Sequence, residues 1–331
     1  MEAEIYEFVS YSAYLLTLLF NTTLIYLTAY HTERMSLTYR HMIIGFALFG
    51  IVFSSLDIVV RPMMHSYNGS YLYFSLKGLF RSSKNITEVL LAVYAAVYSS
   101  ILSFLTIQFI FRTCLVMKSR LVEYFQGWRC VFWLGYVFIF GFVWGIMTYR
   151  FTYSDDYARE YVRSEMYEQY KVDSNDIPIF ILLAYGEREN NTNFYVIMMI
   201  CTFLMYKTIT NDLKKVTAKR THSQVHKQFF KALLYQLAAP SLVVHLPALP
   251  LFFAPFFDMK FSFRASVVVY FFSVYPLLDT LILFIVVSEY KHAVRKIIAN
   301  RAVQIISIIN VASAVPSTST PHNNGVAESV V

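Results

Sequence analysis

The stretch ASVVVYFFSVYPLLDTLILFIVV, residues 265–287, reads as a helix that crosses a lipid bilayer. A hydrocarbon core about 30 Å thick takes about 20 helical residues at ~1.5 Å rise each. The stretch is long enough, and its one charged residue is Asp279. Six further runs have the same character: 5–30, 42–60, 89–111, 131–148, 194–209 and 229–257. Backbone polar groups in lipid must pair within their own segment, so such runs form helices. The chain is therefore expected to be an all-α membrane protein, a seven-transmembrane helix bundle with its two ends on opposite sides of the membrane. That layout suits a signalling receptor better than a transporter built from repeated halves. Residues 1–311 read as one membrane domain, including an amphipathic helix after the seventh span. Residues 312–331 read as a disordered tail.

Composition agrees. The 331 residues are 57% hydrophobic and 15% charged, with mean hydropathy +0.48. Soluble domains carry about 25% charged residues. The formal charge of +7 does not point to nucleic acid, because the basic residues flank the apolar runs. Cys114, Cys130 and Cys201 are not placed to form a disulfide framework or a zinc site. No cofactor or metal is expected.

Charge placement orients the runs. With the N-terminus outside, the inner segments 31–41, 112–130, 207–231 and 288 onward hold 17 of the 28 Lys and Arg residues. No Lys or Arg precedes Arg34, and Lys291, Arg295, Lys296 and Arg301 follow the seventh run. The positive-inside rule predicts N-out, C-in. The acidic N-terminus does not resemble a signal peptide, and the first run is expected to remain as a membrane helix. The sequons at Asn68, Asn85 and Asn190 then fall outside and are candidate glycosylation sites.

Polar residues at membrane depth are costly and are functional candidates. Asn21 and Asp279 lie at similar depth in the first and seventh runs, where a bond between them would satisfy both. That bond serves either packing or a switch. Arg112 ends the third run with Gln108 one turn earlier. It either snorkels to headgroups or makes a contact that changes on activation. In the sixth run Gln236 precedes Pro240, Pro247 and Pro250. Proline removes a backbone donor and bends a helix, which suits a hinge. Asp57 either pairs with Arg61 or faces a ligand cavity.

These residues together resemble the nematode serpentine chemoreceptors of the Str superfamily, nearest to its Str and Srj classes. The resemblance spans about residues 10–300 and rests on several motifs in order. Tyr39-Arg40-His41, Leu56-Asp57, Pro62 and His65-Ser66-Tyr67 surround the second run. Phe109-Ile110-Phe111-Arg112 ends the third. Gln228-Phe229-Phe230-Lys231-Ala232-Leu233 continues through Gln236, Pro240 and Pro247. Tyr275-Pro276-Leu277-Leu278-Asp279 and Tyr290-Lys291 close the set. Phe111, Thr113, Thr280 and Lys291 depart from the family pattern. Rhodopsin-like Asp-Arg-Tyr and Asn-Pro-x-x-Tyr signatures are absent, and the seventh run has no lysine for a retinal Schiff base.

The resemblance implies a G-protein-coupled chemosensory receptor, not an enzyme, in a plasma membrane or sensory-neuron cilium. It would detect a small odorant-like molecule and signal through a heterotrimeric G protein. Arg112, Gln108, Gln236, Pro240, Tyr275, Pro276, Asp279 and Asn21 are the expected switch and coupling residues. Lys214 and Lys215, in the basic inner segment 207–231, join them; that segment also attracts anionic lipid. In such a bundle the ligand pocket opens outward. Tyr94 and Tyr98, four apart on one face, are candidates for its lining, with Tyr195, His245, Phe252 and Tyr270. The C-terminal Ser329-Val330-Val331 fits a PDZ-ligand pattern. A transporter or ligand-gated channel is the alternative, although no internal repeat supports it. An intramembrane metal hydrolase would need clustered ligands, and His245 stands alone.

Overall fold

The structure is a computed structural model. It describes residues 2–32, 35–80, 82–116, 120–151, 154–183 and 262–313, with isolated positions at 231, 234–236, 238, 242 and 246. Five described helices are long and apolar enough to cross a membrane. They lie within α1 (Glu2–Tyr30), α2 (Leu37–Val60), α3 (Lys84–Val116), α4 (Cys130–Phe151 and the turn before it) and α6 (Ser266–Val286). These match five of the seven runs. Runs 194–209 and 229–257 fall almost wholly outside the described residues.

The bundle's core is aromatic and aliphatic, with Phe53, Leu91, Ile107, Phe111, Tyr275 and Tyr290 almost completely enclosed. Its outer surface is apolar too: α4 exposes Phe132, Phe138, Ile139 and Phe142. A surface of this kind fits lipid and would be a liability in water.

Helices α3 and α4 meet through small residues. A Cβ at Gly141 would overlap Ser100 Oγ and sit 2.8 Å from the Ala96 carbonyl oxygen. A Cβ at Gly145 would sit 2.9 Å from Ala96 Cβ. Gly141 and Gly145 are four apart, as are Ala96 and Ser100, so each set lies on one face. Small residues at this spacing let two backbones approach closely in lipid.

One end of the bundle carries a cap that the apolar runs do not predict. Strands β1 (Pro62–Tyr67), β2 (Ser70–Ser75), β3 (Ile179–Leu183) and β4 (Ser262–Arg264) form an antiparallel sheet in the order β3-β2-β1-β4. Asn68 and Gly69 close the β1–β2 hairpin, both at positive φ (43° and 75°). An Asn-Gly pair adopts that backbone at low cost and matches the strand twist. Side chains alternate along each strand. Leu72, Phe74, Ile179 and Ile181 face α5 (Asp156–Tyr170), where they pack on Val162 and Met166. Met64, Tyr73 and Phe180 face the bundle core. The sheet is thus a layer between α5 and the helix ends. Helix α5 is amphipathic, begins at Asp155, whose side chain accepts from Ala158 N at 2.9 Å, and ends at Lys171 in the left-handed region.

At the opposite end, α7 (Ser288–Ser313) follows α6 after a break at Val287. Val294, Ile298 and Ile305 lie exposed on it. Tyr290 near its start is buried and shares a hydrogen bond with Thr28 of α1 at 2.8 Å. Arg40 caps the end of α1: its Nε donates to Thr28 O at 3.0 Å and its Nη2 to Ala29 O. A guanidinium on terminal carbonyls satisfies groups that have no partner within their own helix.

Candidate ligand and switch site

Two buried polar nodes join α1, α2, α3 and α6. The first lies just beneath the cap. Tyr94 O–H donates to Asp57 Oδ1 at 3.1 Å, and Ser273 O–H donates to Asp57 Oδ2 at 2.6 Å. With that proton committed, Ser10 of α1 donates to Ser273 at 3.2 Å. One carboxyl group thus gathers α2, α3 and α6 directly and α1 through a serine. Rings pack on one side. Phe53 lies 4.6 Å from Tyr94 and 5.7 Å from Tyr98, and Tyr98 lies 4.8 Å from Phe272, centroid to centroid.

Asp57 does not pair with Arg61. Arg61 stands in the left-handed region (φ 48°) at the end of α2, which turns its side chain toward α1. Its guanidinium meets Glu7 Oε1 at 3.1 Å and Tyr11 Oη at 2.5 Å. Lys77 reaches the same Glu7 oxygen at 3.0 Å.

The second node lies deeper. Thr280 O–H donates to Asn21 Oδ1 at 2.8 Å, and Asn21 Nδ2 donates to Thr17 O at 2.9 Å. Gln236 Nε2 donates to Asp279 Oδ2 at 3.3 Å. The expected Asn21–Asp279 bond is therefore replaced by two bonds, one from each of two adjacent residues. Positions 279 and 280 are about 100° apart around a helix of 3.6 residues per turn, so they face different neighbours. Pro276 stands inside α6 and gives no N–H to the preceding turn. Around it, Asn21, Gly50, Tyr275, Pro276, Asp279 and Thr280 line a void of about 10 Å³, room for one water. Asp279 Oδ1, Tyr275 Oη and Thr17 Oγ1 have no protein partner among the described residues.

Tyr94 is buried and bound to Asp57, and Tyr98 is half-buried in the ring cluster, so the structure brings these two together. Tyr270 is half-buried on α6. Gln108 is buried on α3 and its Nε2 lacks a protein partner among the described residues. Arg112 belongs to the last turns of α3, but its side chain lies outside the described residues. So do Tyr195, His245, Phe252, Pro240, Lys214, Lys215 and Asn190, and the C-terminal segment with its PDZ-like end. Asn85 is exposed at the start of α3. Asn68 is engaged: its Nδ2 donates to Tyr161 Oη at 2.7 Å, and Tyr161 donates back to Asn68 O at 2.7 Å. A sugar on that nitrogen would displace Tyr161. Ser273 and Ser10 escaped the sequence reading, and Thr280 entered it only as a departure from the family pattern, because a lone hydroxyl in an apolar run resembles ordinary helix filler. Their common face with Asp57 and Asn21 becomes visible only once the helices are assembled.

Comparison with known proteins places this geometry in a family. The profile of the family described as "Serpentine type 7TM GPCR chemoreceptor Str" matches residues 6–295. The chain belongs to the Str family of seven-transmembrane chemoreceptors. It is similar to "G-protein coupled receptor str-33" of Caenorhabditis elegans, 33% identical over 328 residues, covering 90% of this chain and 94% of that one. It is also similar to "Serpentine receptor class r-10" of Caenorhabditis briggsae, 25% identical over 279 residues, covering 78% and 80%. Among solved structures, squid rhodopsin matches with TM-score 0.50 at 12% identity, covering 89% of this chain and 85% of that chain. That likeness concerns the fold alone, and it is the seven-helix receptor fold. This Str receptor is therefore a multi-pass membrane protein of a receptor family, not of an enzyme family.

Proposed function

We propose that this Str receptor detects a small, largely apolar, odorant-like molecule and signals through a heterotrimeric G protein. The capped end lies outside the cell and the α7 end inside, in the plasma membrane of a sensory cell, with the neuronal cilium as the site of action. The observation that supports this reading is the pair of polar nodes along α6. A ligand beneath the cap acts on the Asp57–Tyr94–Ser273 node. A change there is passed along α6, across Pro276, to the Asn21–Thr280 and Gln236–Asp279 bonds. Ligand binding shifts such a balance only by its difference in affinity for the two arrangements. The coupling face comprises Arg112, the hinge at Pro240 and the basic segment containing Lys214 and Lys215. The exposed apolar stripe on α7, flanked by Lys291 and Arg295, lies on the inner leaflet.

The test is a second-messenger assay in cells expressing the full chain with a panel of G proteins and a screen of volatile and lipid-like compounds. An agonist response that is abolished by Arg112→Ala with Pro240→Ala, at unchanged surface expression, is the expected result. A response that survives both substitutions together contradicts the coupling mechanism.

A further inference from the structure

The cap is closed by one fully buried histidine. His65 of β1 places Nε2 3.2 Å from Glu165 Oε1 of α5 and 3.4 Å from Ser262 Oγ of β4. Its Nδ1 lies 3.3 Å from Tyr170 Oη of α5. Ser262 O–H donates to the same Glu165 oxygen at 2.6 Å. A neutral ring satisfies this set completely. Nε2–H donates to Glu165, and Nδ1 accepts from Tyr170, an assignment drawn from the hydrogen-bond network. Three separate segments of the chain therefore meet on one imidazole.

The third segment matters most. Strand β4 runs through Ala265 directly into α6, and Ala265 N donates to Met64 O at 3.1 Å. Releasing β4 from the cap frees the start of the helix that carries Ser273, Pro276 and Asp279.

We propose that His65 is a proton-binding site through which acid on the capped side loosens the cap and unties α6 from it. The groups facing His65 set the direction. Among the described residues Glu165 is the one carboxylate in contact, and it favours a charged ring. Arg264, opposite His65 in the β1–β4 register, disfavours it. Arg264 is itself held by Gln169 at 2.7 Å and lies 5.3 Å from the Tyr170 ring centroid. On β2, the residue paired with His65 is the apolar Leu72. Burial is the largest influence, and it holds the imidazole below its ordinary value against the pull of Glu165. An opened cap returns the ring to water and to its ordinary value, about 6.5. The opened form then binds the proton more tightly than the closed form. The contribution of His65 to cap closure is full above about pH 6.5 and is lost as pH falls through the lower closed value. The inference concerns the cap's conformation and does not depend on the ligand or the G protein.

The test is amide hydrogen exchange on the full chain in lipid nanodiscs, at about pH 7.5 and about pH 5, corrected for intrinsic exchange. Protection of residues 62–75 and 156–170 is expected to fall, by up to about thirtyfold, the limit that an opened ring titrating near about 6.5 sets at about pH 5. Protection across 37–60 stays constant. His65→Gln keeps a neutral donor for Glu165 and is expected to remove the pH dependence, whereas Ser262→Ala keeps it. Glu165→Gln, an independent variant should His65→Gln fold poorly, is expected to enlarge the fall by removing the group that favours the charged ring. A wild-type cap whose protection does not change with pH, an equal fall in His65→Gln, or a fall unaltered by Glu165→Gln each overturns the proposal.

Discussion

The α3–α4 seam and the α1–α2–α6 seam solve the same problem in opposite ways. Between α3 and α4, Gly141 and Gly145 lie against Ala96 and Ser100 with no space for another carbon. Between α1, α2 and α6, the helices meet through Asp57, Ser273, Ser10, Asn21 and Thr280, beside a small void where Asp279 Oδ1 and Tyr275 Oη have no partner among the described residues. Close backbone packing has one good arrangement. A set of hydroxyl, amide and carboxyl groups has several of similar energy, because each can exchange partners. On the function proposed above, the first seam is the fixed frame and the second is where the two receptor arrangements differ.

Substitutions in each seam break that contrast. The largest effect is expected from Gly141→Leu, which forces α3 and α4 apart. Overpacking costs about 1–3 kcal/mol and occasionally more. The variant is expected to lose most surface expression and thermal stability in detergent. Gly135→Leu, where nothing lies within 4 Å of the new Cβ, is the neutral control. If both variants behave alike, the tight seam is not what holds the frame. Asp57→Ala comes next. It removes from a buried site the carboxyl that accepts from both Tyr94 and Ser273, a loss of about 1–3 kcal/mol, and Asp57→Asn, which keeps an acceptor, is expected to lose less. Differential scanning fluorimetry ranks the two, and an equal loss would contradict the bonding described. The smallest effect belongs to Thr280→Val, which removes the bond to Asn21. Interhelical hydrogen bonds in membranes average about 0.6 kcal/mol. Stability is expected to be almost unchanged while the basal signalling level shifts. A stability loss as large as that of Gly141→Leu would make Thr280 part of the frame instead.

Five of the spans were legible in the sequence because lipid demands long uninterrupted apolar helices, a pattern that needs no knowledge of neighbours. Asp57, Asn21, Gln236 and Asp279 were legible as costly groups, but their partners were not. Counting depth cannot distinguish Asp279 from Thr280, since the deciding quantity is rotation about the helix axis. Asp57 left two readings open, a pair with Arg61 or a place facing a ligand cavity, and the left-handed turn at Arg61 sends its guanidinium to Glu7 and Tyr11 instead. The cap left one local signal, Asn68-Gly69 between two short strands, which also reads as a glycosylation sequon. Its other pairings join residues about a hundred or more positions apart, such as His65 with Glu165 and Ser66 with Phe263. No local pattern carries those.

The most direct test is a pair of spin-label distances in the full chain, with its native cysteines replaced by serine, in nanodiscs with G protein. One pair spans the polar seam, at exposed Leu48 of α2 and Ile285 of α6; the other spans the packed seam, at exposed Val93 of α3 and Ile139 of α4. On adding an agonist from the screen, the Leu48–Ile285 distribution is expected to shift or split while the Val93–Ile139 distribution stays put. Movement of the second pair with the first unchanged would contradict the account.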